Sequence, residues 1–180
     1  MLKIRAVGIA LLTGIAITGA ATAAWAQSAG QITAFATAKL SLVQAIDVAE
    51  RQLSGKAVEA EFETERDSGR YHVQVSKDGE VTWYWVDAGS GQVTKSGRQG
   101  QVETAVQVLG GDTVNQAVLD ASKTTLVQAS DAAEQRIGGK AMRAEVEQER
   151  GRLRYGIWVL KGEDRKKVEV DASDGAVKAD

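Results

Sequence analysis

Residues 58–65 read Val58-Glu-Ala-Glu-Phe-Glu-Thr-Glu65, and 84 positions later residues 142–149 read Met142-Arg-Ala-Glu-Val-Glu-Gln-Glu149. In both stretches the even positions are mostly apolar and the odd positions mostly charged. Successive side chains of a strand point to opposite faces, so a period of two predicts a half-buried strand with its apolar side inward. The same period puts Glu59, Glu61, Glu63 and Glu65 on one face, at a spacing of ~6.6–7 Å.

The likeness continues outward in both directions. Leu42-Val-Gln-Ala45 returns as Leu126-Val-Gln-Ala129, Gly55-Lys-Ala57 as Gly139-Lys-Ala141, Arg70-Tyr71 as Arg154-Tyr155, and Val86-Asp-Ala88 as Val170-Asp-Ala172. Positions 42–95 and 126–179 align without a gap, and 24 of the 54 are identical, where chance gives only a few. The chain is therefore a duplication. A unit of about 55 residues is small for a domain that folds alone, so the two are expected to dock.

Upstream of each octapeptide the period changes. Ser41-Leu-Val-Gln44 and Thr125-Leu-Val-Gln128 have the form of capping boxes, in which the hydroxyl and the Gln side chain satisfy free amides of the first turn. Leu42, Ala45, Ile46, Ala49 and Leu53 follow at helical spacing, which predicts helices running to about Leu53 and Ile137. Gly55 and Gly139 are expected to stop them in left-handed turns, with Lys56 and Lys140 complementing the helix C-termini. Downstream, Asp67-Ser-Gly69 reads as a hairpin turn. Tyr71, Val73 and Val75 share a strand face, as do Tyr155, Ile157 and Val159. Lys77-Asp-Gly-Glu80 and Lys161-Gly-Glu-Asp164 are second turns. The third strands end at Asp87 and Asp171, whose carboxylates suit backbone amides in the turns before Gly91 and Gly175. The predicted fold is α+β: two tandem units, 27–97 and 123–180, each one helix packed on a three-stranded antiparallel sheet. A partly helical connector, 98–122, joins them. Its stretches Val102–Leu109 and Thr113–Ala121 suit helical turns, with Thr113-Val-Asn-Gln116 as a cap.

The N-terminus reads as an address. A basic start, Met1-Leu-Lys-Ile-Arg5, precedes the uncharged apolar run Ala6 to Ala21 and then Ala24-Trp25-Ala26. That is the pattern of a secretory signal peptide over 1–26, with cleavage expected after Ala26; the run is short for a membrane span of ~20 residues. Loss of Lys3 and Arg5 takes the formal charge from -2 to -4. The expected mature product is soluble, periplasmic and mildly acidic, with no later membrane span.

Composition excludes much chemistry. With no Cys there is no disulfide, thiolate zinc site or cysteine nucleophile, and the one His, His72, is the only candidate base for a triad. A net charge of -2 gives no basic field for nucleic acid. His72 shares the outward direction of the Glu59–Glu65 carboxylates, yet the second unit has Gly156 at its position, so a shared metal site is not expected; a solvated acidic face that resists edge aggregation is. No catalytic, cofactor-binding or metal-ligating residues are assigned.

Helix, Gly-Lys, acidic strand, Tyr-bearing strand and a strand ending in Val-Asp-Ala-x-x-Gly, in that order and twice, resemble the PepSY domain family. Ala45, Ala49, Gly55, Tyr71, Val86-Asp-Ala88 and Gly91 carry the resemblance in the first unit; Ala129, Ala133, Gly139, Tyr155, Val170-Asp-Ala172 and Gly175 carry it in the second. The resemblance implies a non-catalytic module. Related domains occur in propeptides of thermolysin-like metallopeptidases and in small exported bacterial proteins, and regulation of peptidases has been proposed for them.

The copies diverge on their outer sides. Val81-Thr-Trp-Tyr-Trp-Val-Asp87 aligns with Arg165-Lys-Lys-Val-Glu-Val-Asp171. Tyr84 and Val86 match Val168 and Val170 and so face inward. Trp83 and Trp85 match Lys167 and Glu169 and so face outward. Trp158 and Leu160 form an outward pair in the second unit, against Gln74 and Ser76 in the first. A covered Trp buries on the order of 150–250 Å², worth ~4–6 kcal/mol as an upper bound, so such pairs call for a cover. Trp83, Trp85, Trp158 and Leu160 are therefore the candidate interface. Three covers compete: the outer faces or connector covering one another within the molecule, a homodimer, and an exported partner such as an extended peptide. The expected function is a non-catalytic exported binding or regulatory module that modulates a peptidase or another envelope protein. The alternative is a structural or envelope-stress protein whose units pack on each other without a dedicated ligand.

Overall fold

The computed structural model describes residues 29–65, 68–95 and 116–179. The signal segment and its Ala24-Trp25-Ala26 site, Asp67 of the first hairpin, and the connector stretches Val102–Leu109 and 113–115 lie outside the described residues. No helix among the described residues is long and apolar enough to cross a membrane.

Each unit opens with a short helix, α1 (Ala29–Ala36) or α3 (Gln116–Asp120), ahead of the principal helix, α2 (Leu42–Leu53) or α4 (Leu126–Ile137). Both principal helices begin in complete capping boxes at Ser41 and Thr125. The left-handed residue that ends them falls one place earlier than expected, at Ser54 (φ 53°) and Gly138 (φ 72°). Gly55 and Gly139 are glycine for a different reason. A Cβ on Gly139 would stand 2.3 Å from the Leu160 carbonyl oxygen, and one on Gly55 2.8 Å from that of Ser76. The chain leaving the helix passes against a strand, and only glycine permits the approach. The cations at the helix C-termini also differ from expectation: Lys77 and Lys161 donate to the carbonyls of Leu53 and Ile137, whereas Lys56 reaches the Leu119 and Asp120 carbonyls of α3.

The strands are β1 (Lys56–Glu65), β2 (Ser68–Lys77), β3 (Glu80–Asp87) and β4 (Val93–Lys95) in the first unit. In the second they are β5 (Lys140–Glu149), β6 (Arg152–Lys161), β7 (Asp164–Asp171) and β8 (Val177–Ala179). The expected three-stranded unit is thus corrected to four, because the turns after Asp87 and Asp171 fold three further residues back onto β3 and β7. Gly69, expected in a turn, lies within β2 opposite Thr64, where a Cβ would strike the Phe62 ring. Both copies bulge at the same place, between Ala57 and Glu59 and between Ala141 and Arg143. The amides of Ala57 and Ala141 there bond the helix carboxylates Glu50 and Glu134, each at 2.8 Å.

The eight strands of the described residues form one sheet in the order β4-β3-β2-β1-β5-β6-β7-β8. The units meet edge to edge through antiparallel β1 and β5, with Ala60 opposite Ala144. These two alanines hold the same place in the two repeats, so each repeat meets the other at its equivalent residue, as a local two-fold requires. Both principal helices cover one face, burying Leu42, Ala45, Ile46, Ala49, Leu126, Ala129 and Ala133 against Val58, Phe62, Tyr71, Val73, Val86, Val146, Tyr155, Ile157 and Val170. The Tyr71 hydroxyl donates to the Leu40 carbonyl ahead of α2, and the Tyr155 hydroxyl to the Thr124 carbonyl ahead of α4, which ties each strand to its helix.

Candidate functional site

The opposite face of the sheet carries no helix of the two principal ones. In the first unit, alternation sends Arg70, His72, Gln74 and Ser76 of β2, and Trp83 and Trp85 of β3, to this side, because Tyr71, Val73 and Val86 point to the helices. His72 lies opposite Trp85 in the register and stacks on both indoles, with ring centroids 4.0 Å from Trp85 and 4.1 Å from Trp83. The Arg70 guanidinium caps Trp85 at 3.6 Å from the ring centroid, and also pairs with Glu65. His72 Nδ1 stands 3.7 Å from a Glu63 carboxylate oxygen. The row partly covers itself: His72 is buried, and Trp83 and Trp85 are half-buried. A cation over an indole and stacked rings each contribute about 0.5–1.5 kcal/mol, so the stack is pre-assembled rather than loose.

The second unit fills the same positions with other chemistry. Gly156 stands where His72 does. A Cβ on it would meet the Glu147 carboxylate at 2.7 Å and the Lys167 side chain at 3.1 Å, because the Lys167–Glu147 ion pair (2.6 Å) spans the gap. The set Glu63, His72, Trp83 has thus been exchanged for Glu147, Gly156, Lys167. Trp158 is half-buried, with the Lys167 ammonium 4.8 Å and the Arg143 guanidinium 5.2 Å from its ring. Leu160 is only 8% exposed. Of the four candidate interface residues, Trp83 and Trp85 belong to one patch, Trp158 lies across the β1–β5 border from them, and Leu160 is covered.

Between the two patches sits a cluster that the sequence did not announce. Glu59 lies directly opposite Glu145, and Glu61 opposite Arg143. Facing carboxylates repel, yet Glu59 is only 9% exposed and Glu145 8%. Arg143, itself 8% exposed, holds them together, donating to Glu145 at 2.7 Å, Glu59 at 2.9 Å and Glu61 at 3.1 Å. The expectation of a solvated acidic strand face is therefore corrected at its inner end, since pairing with β5 removes Glu59 and Glu61 from water. Burial lifts the Glu59 carboxyl to about 7 despite the pull of Arg143. Burial raises Glu61 and Glu145 as well, against the same guanidinium. The signal was present in the repeat alignment: Arg143 occupies the place of Glu59, the one charge reversal within the duplicated octapeptide.

No group of three or more His, Cys, Asp or Glu residues able to hold a metal ion occurs among the described residues. Asp87 accepts the Gly89 and Ser90 amides and the Ser90 hydroxyl, and Asp171 accepts the Ser173 amide and hydroxyl. Those bonds hold both carboxyls below the usual range, in the manner of turn formers.

The family model described as the peptidase propeptide and YPEB domain, PepSY, matches the chain twice, over residues 39–96 and 123–180. No curated protein matches. Among solved structures, the chain is similar to a putative lipoprotein from Clostridium difficile 630, at 16% identity and a TM-score of 0.41, over 78% of this chain and 91% of that one.

Proposed function

This chain belongs to the PepSY family, and from that premise we propose that it is a non-catalytic binding and regulatory module of the cell envelope. In this proposal the signal segment exports it to the periplasm, where the sheet face opposite the two principal helices engages a peptidase or another envelope protein. The observation that supports this is the Trp83–His72–Trp85 stack under Arg70: ordered, aromatic, cationic at one end and part-exposed. Aromatic and Arg residues are the side chains on which interfaces concentrate their energy. PepSY domains are linked to peptidase propeptides, which makes an exported metallopeptidase the first partner to try.

The test is inhibition of purified exported metallopeptidases, thermolysin-like ones included, by the full chain and by Trp83→Ala/Trp85→Ala. Inhibition that weakens at least tenfold in a variant that still melts cooperatively supports the proposal. Equal inhibition by both proteins, or none by either, overturns it.

A second reading has its own support. The β1–β5 pairing and the Arg143 cluster weld the repeats into one sheet, as a purely structural protein would require. It predicts tryptophan emission that stays unchanged when envelope extract is added.

A further inference from the structure

On the helix side of the joint the two repeats are no longer alike. The short helices α1 and α3 end at matching positions, Ala36 and Asp120. Lys56 and Lys140 also match, each beside the other repeat's short helix. Lys56 crosses the joint. Its ammonium donates to the carbonyls of Leu119 (3.1 Å) and Asp120 (3.3 Å) and pairs with the Asp120 carboxylate at 3.3 Å. Lys140 has no matching pair, because Ala36 offers no carboxylate. It pairs instead with Glu134 of its own repeat, at 3.3 Å. A cleft of about 440 Å³ is lined by Lys140, by the end of α1 and by α4, a size that suits a small ligand.

The lining combines apolar surface with charges of both signs. Phe35, Leu40 and Val43 supply the apolar part, the first buried and the others half-buried. The Tyr71 hydroxyl is committed to the Leu40 carbonyl. The charged residues are Lys39, Lys140, Asp131 and Glu134. Glu134 is committed too: one oxygen accepts the Ala141 amide at 2.8 Å and the other faces Lys140. Its counterpart Glu50 accepts the Ala57 amide, also at 2.8 Å, while Lys56 still takes the Asp120 carboxylate. A glutamate at this place is therefore compatible with an anion on the lysine. Asp131 departs from its counterpart. Asp47 pairs with Arg51, whereas Gln135 stands at the place of Arg51 in the second repeat. Asp131 belongs to no ion pair of the described residues. It lies three residues before Glu134 on α4, so the two share a helix face, and an acceptor for a cation stands one turn from the carboxylate that Lys140 contacts. Lys39 is an exposed second cation, whose field also reaches Asp87.

We infer that this cleft binds a short apolar peptide with free termini. The peptide carboxylate takes Lys140, as the Asp120 carboxylate takes Lys56 across the joint. Its ammonium takes Asp131, and its side chains rest on Phe35, Leu40 and Val43. Charge complementarity selects the zwitterion: a simple anion is repelled by Asp131, and a simple cation by Lys39 and Lys140. One repeat's lysine is thus answered by the chain itself and the other's by a ligand. The cleft lies across the sheet from the Trp83–His72–Trp85 stack, so the inference goes beyond the proposed function and neither depends on the other.

The test titrates the full chain with the dipeptide Leu-Leu, its C-terminal amide and its N-acetyl form, by calorimetry and by amide shifts of isotope-labelled protein. The expected result is binding of Leu-Leu with shifts at Val43, Asp131 and Lys140. The amide and the acetyl form bind about tenfold or more weakly, the scale of one lost charge-assisted bond. Ala36→Asp copies Asp120 and gives Lys140 a carboxylate of its own chain. It weakens Leu-Leu binding by about the same factor while melting cooperatively, and so does Lys140→Met. Trp83→Ala/Trp85→Ala leaves binding unchanged. The inference is overturned if Leu-Leu fails to bind at millimolar concentration, or if either blocked form binds as well. Parent-like binding by Ala36→Asp or Lys140→Met, or shifts centred on Trp83 and Trp85, also overturns it. So do Overhauser contacts in the free chain that set residues 1–28 or 96–115 against Val43 and Lys140. None of these outcomes touches the sheet-face proposal, which peptidase inhibition decides.

Discussion

Replacing Arg143 with Met removes one guanidinium and leaves three carboxylates, Glu59, Glu61 and Glu145, facing one another at the border of the repeats. All three bond to Arg143 at 3.1 Å or less, and the Arg143 side chain is only 10% exposed. Breaking a buried ion pair by removing one partner costs about 3–5 kcal/mol, a large share of the ~5–15 kcal/mol that holds a domain together. For a protein of this size that lowers Tm by roughly 6–20 °C. The loss depends on pH. The Glu59 pKa is raised from 4.5 to about 7, chiefly by burial. A carboxyl raised on folding contributes its stability in full below the unfolded value and loses it as pH rises through the folded one. The parent is therefore more stable at pH 5 than at pH 8, with Glu59 contributing up to ~3 kcal/mol of the difference. Glu61 and Glu145 act in the same direction. Arg143→Met destabilises most at pH 8 and least at pH 5, where protonated carboxyls no longer repel. Urea unfolding at the two pH values measures both effects, and Glu59→Gln flattens the profile of the parent. A variant that loses under ~1 kcal/mol at pH 8, or the same amount at both values, refutes the account of the cluster.

Three further outcomes follow from the packing. Gly139→Ala forces a Cβ against the Leu160 carbonyl and costs about 3 kcal/mol or more in urea unfolding, whereas Gly55→Ala, whose nearest contact is the Val75 side chain, costs less; the reverse ranking refutes the close-approach argument. Gly156→His alone clashes with the Glu147–Lys167 pair, but Gly156→His with Lys167→Trp rebuilds the first unit's stack, so a double-mutant cycle reads a favourable coupling of about 1 kcal/mol; zero coupling removes the exchange argument. Tyr71→Phe and Tyr155→Phe each lose a bond to a carbonyl ahead of a principal helix, at a cost of about 1–2 kcal/mol; melts indistinguishable from the parent show the hydroxyls are dispensable.

Much of each unit was legible locally. The capping boxes at Ser41 and Thr125, the helix lengths and the facing of Tyr71, Val73 and Val86 all follow from short-range periods, and the structure has them. The outward direction of Trp83 and Trp85 was legible by comparing one copy with the other, since Lys167 and Glu169 cannot be core. What escaped was whatever depends on a neighbour distant in the chain. The need for Gly55 and Gly139 is set by carbonyls some twenty residues away, and β4 and β8 are too short for any period to show. Leu160 looked like Trp158, its partner at period two, yet is covered.

The amino-acid order alone determined that one helix-and-sheet module occurs twice and which side of each strand meets its helix, because alternation and helical spacing are written within a few residues. Only the tertiary structure decided that the modules join through Ala60 and Ala144 into one sheet. It also made Arg143 the common partner of three carboxylates. The physical reason is that alternation names a strand's faces but says nothing of its edges: backbone amides and carbonyls are alike in every residue but proline, so which strands pair is settled by what the assembled units bury.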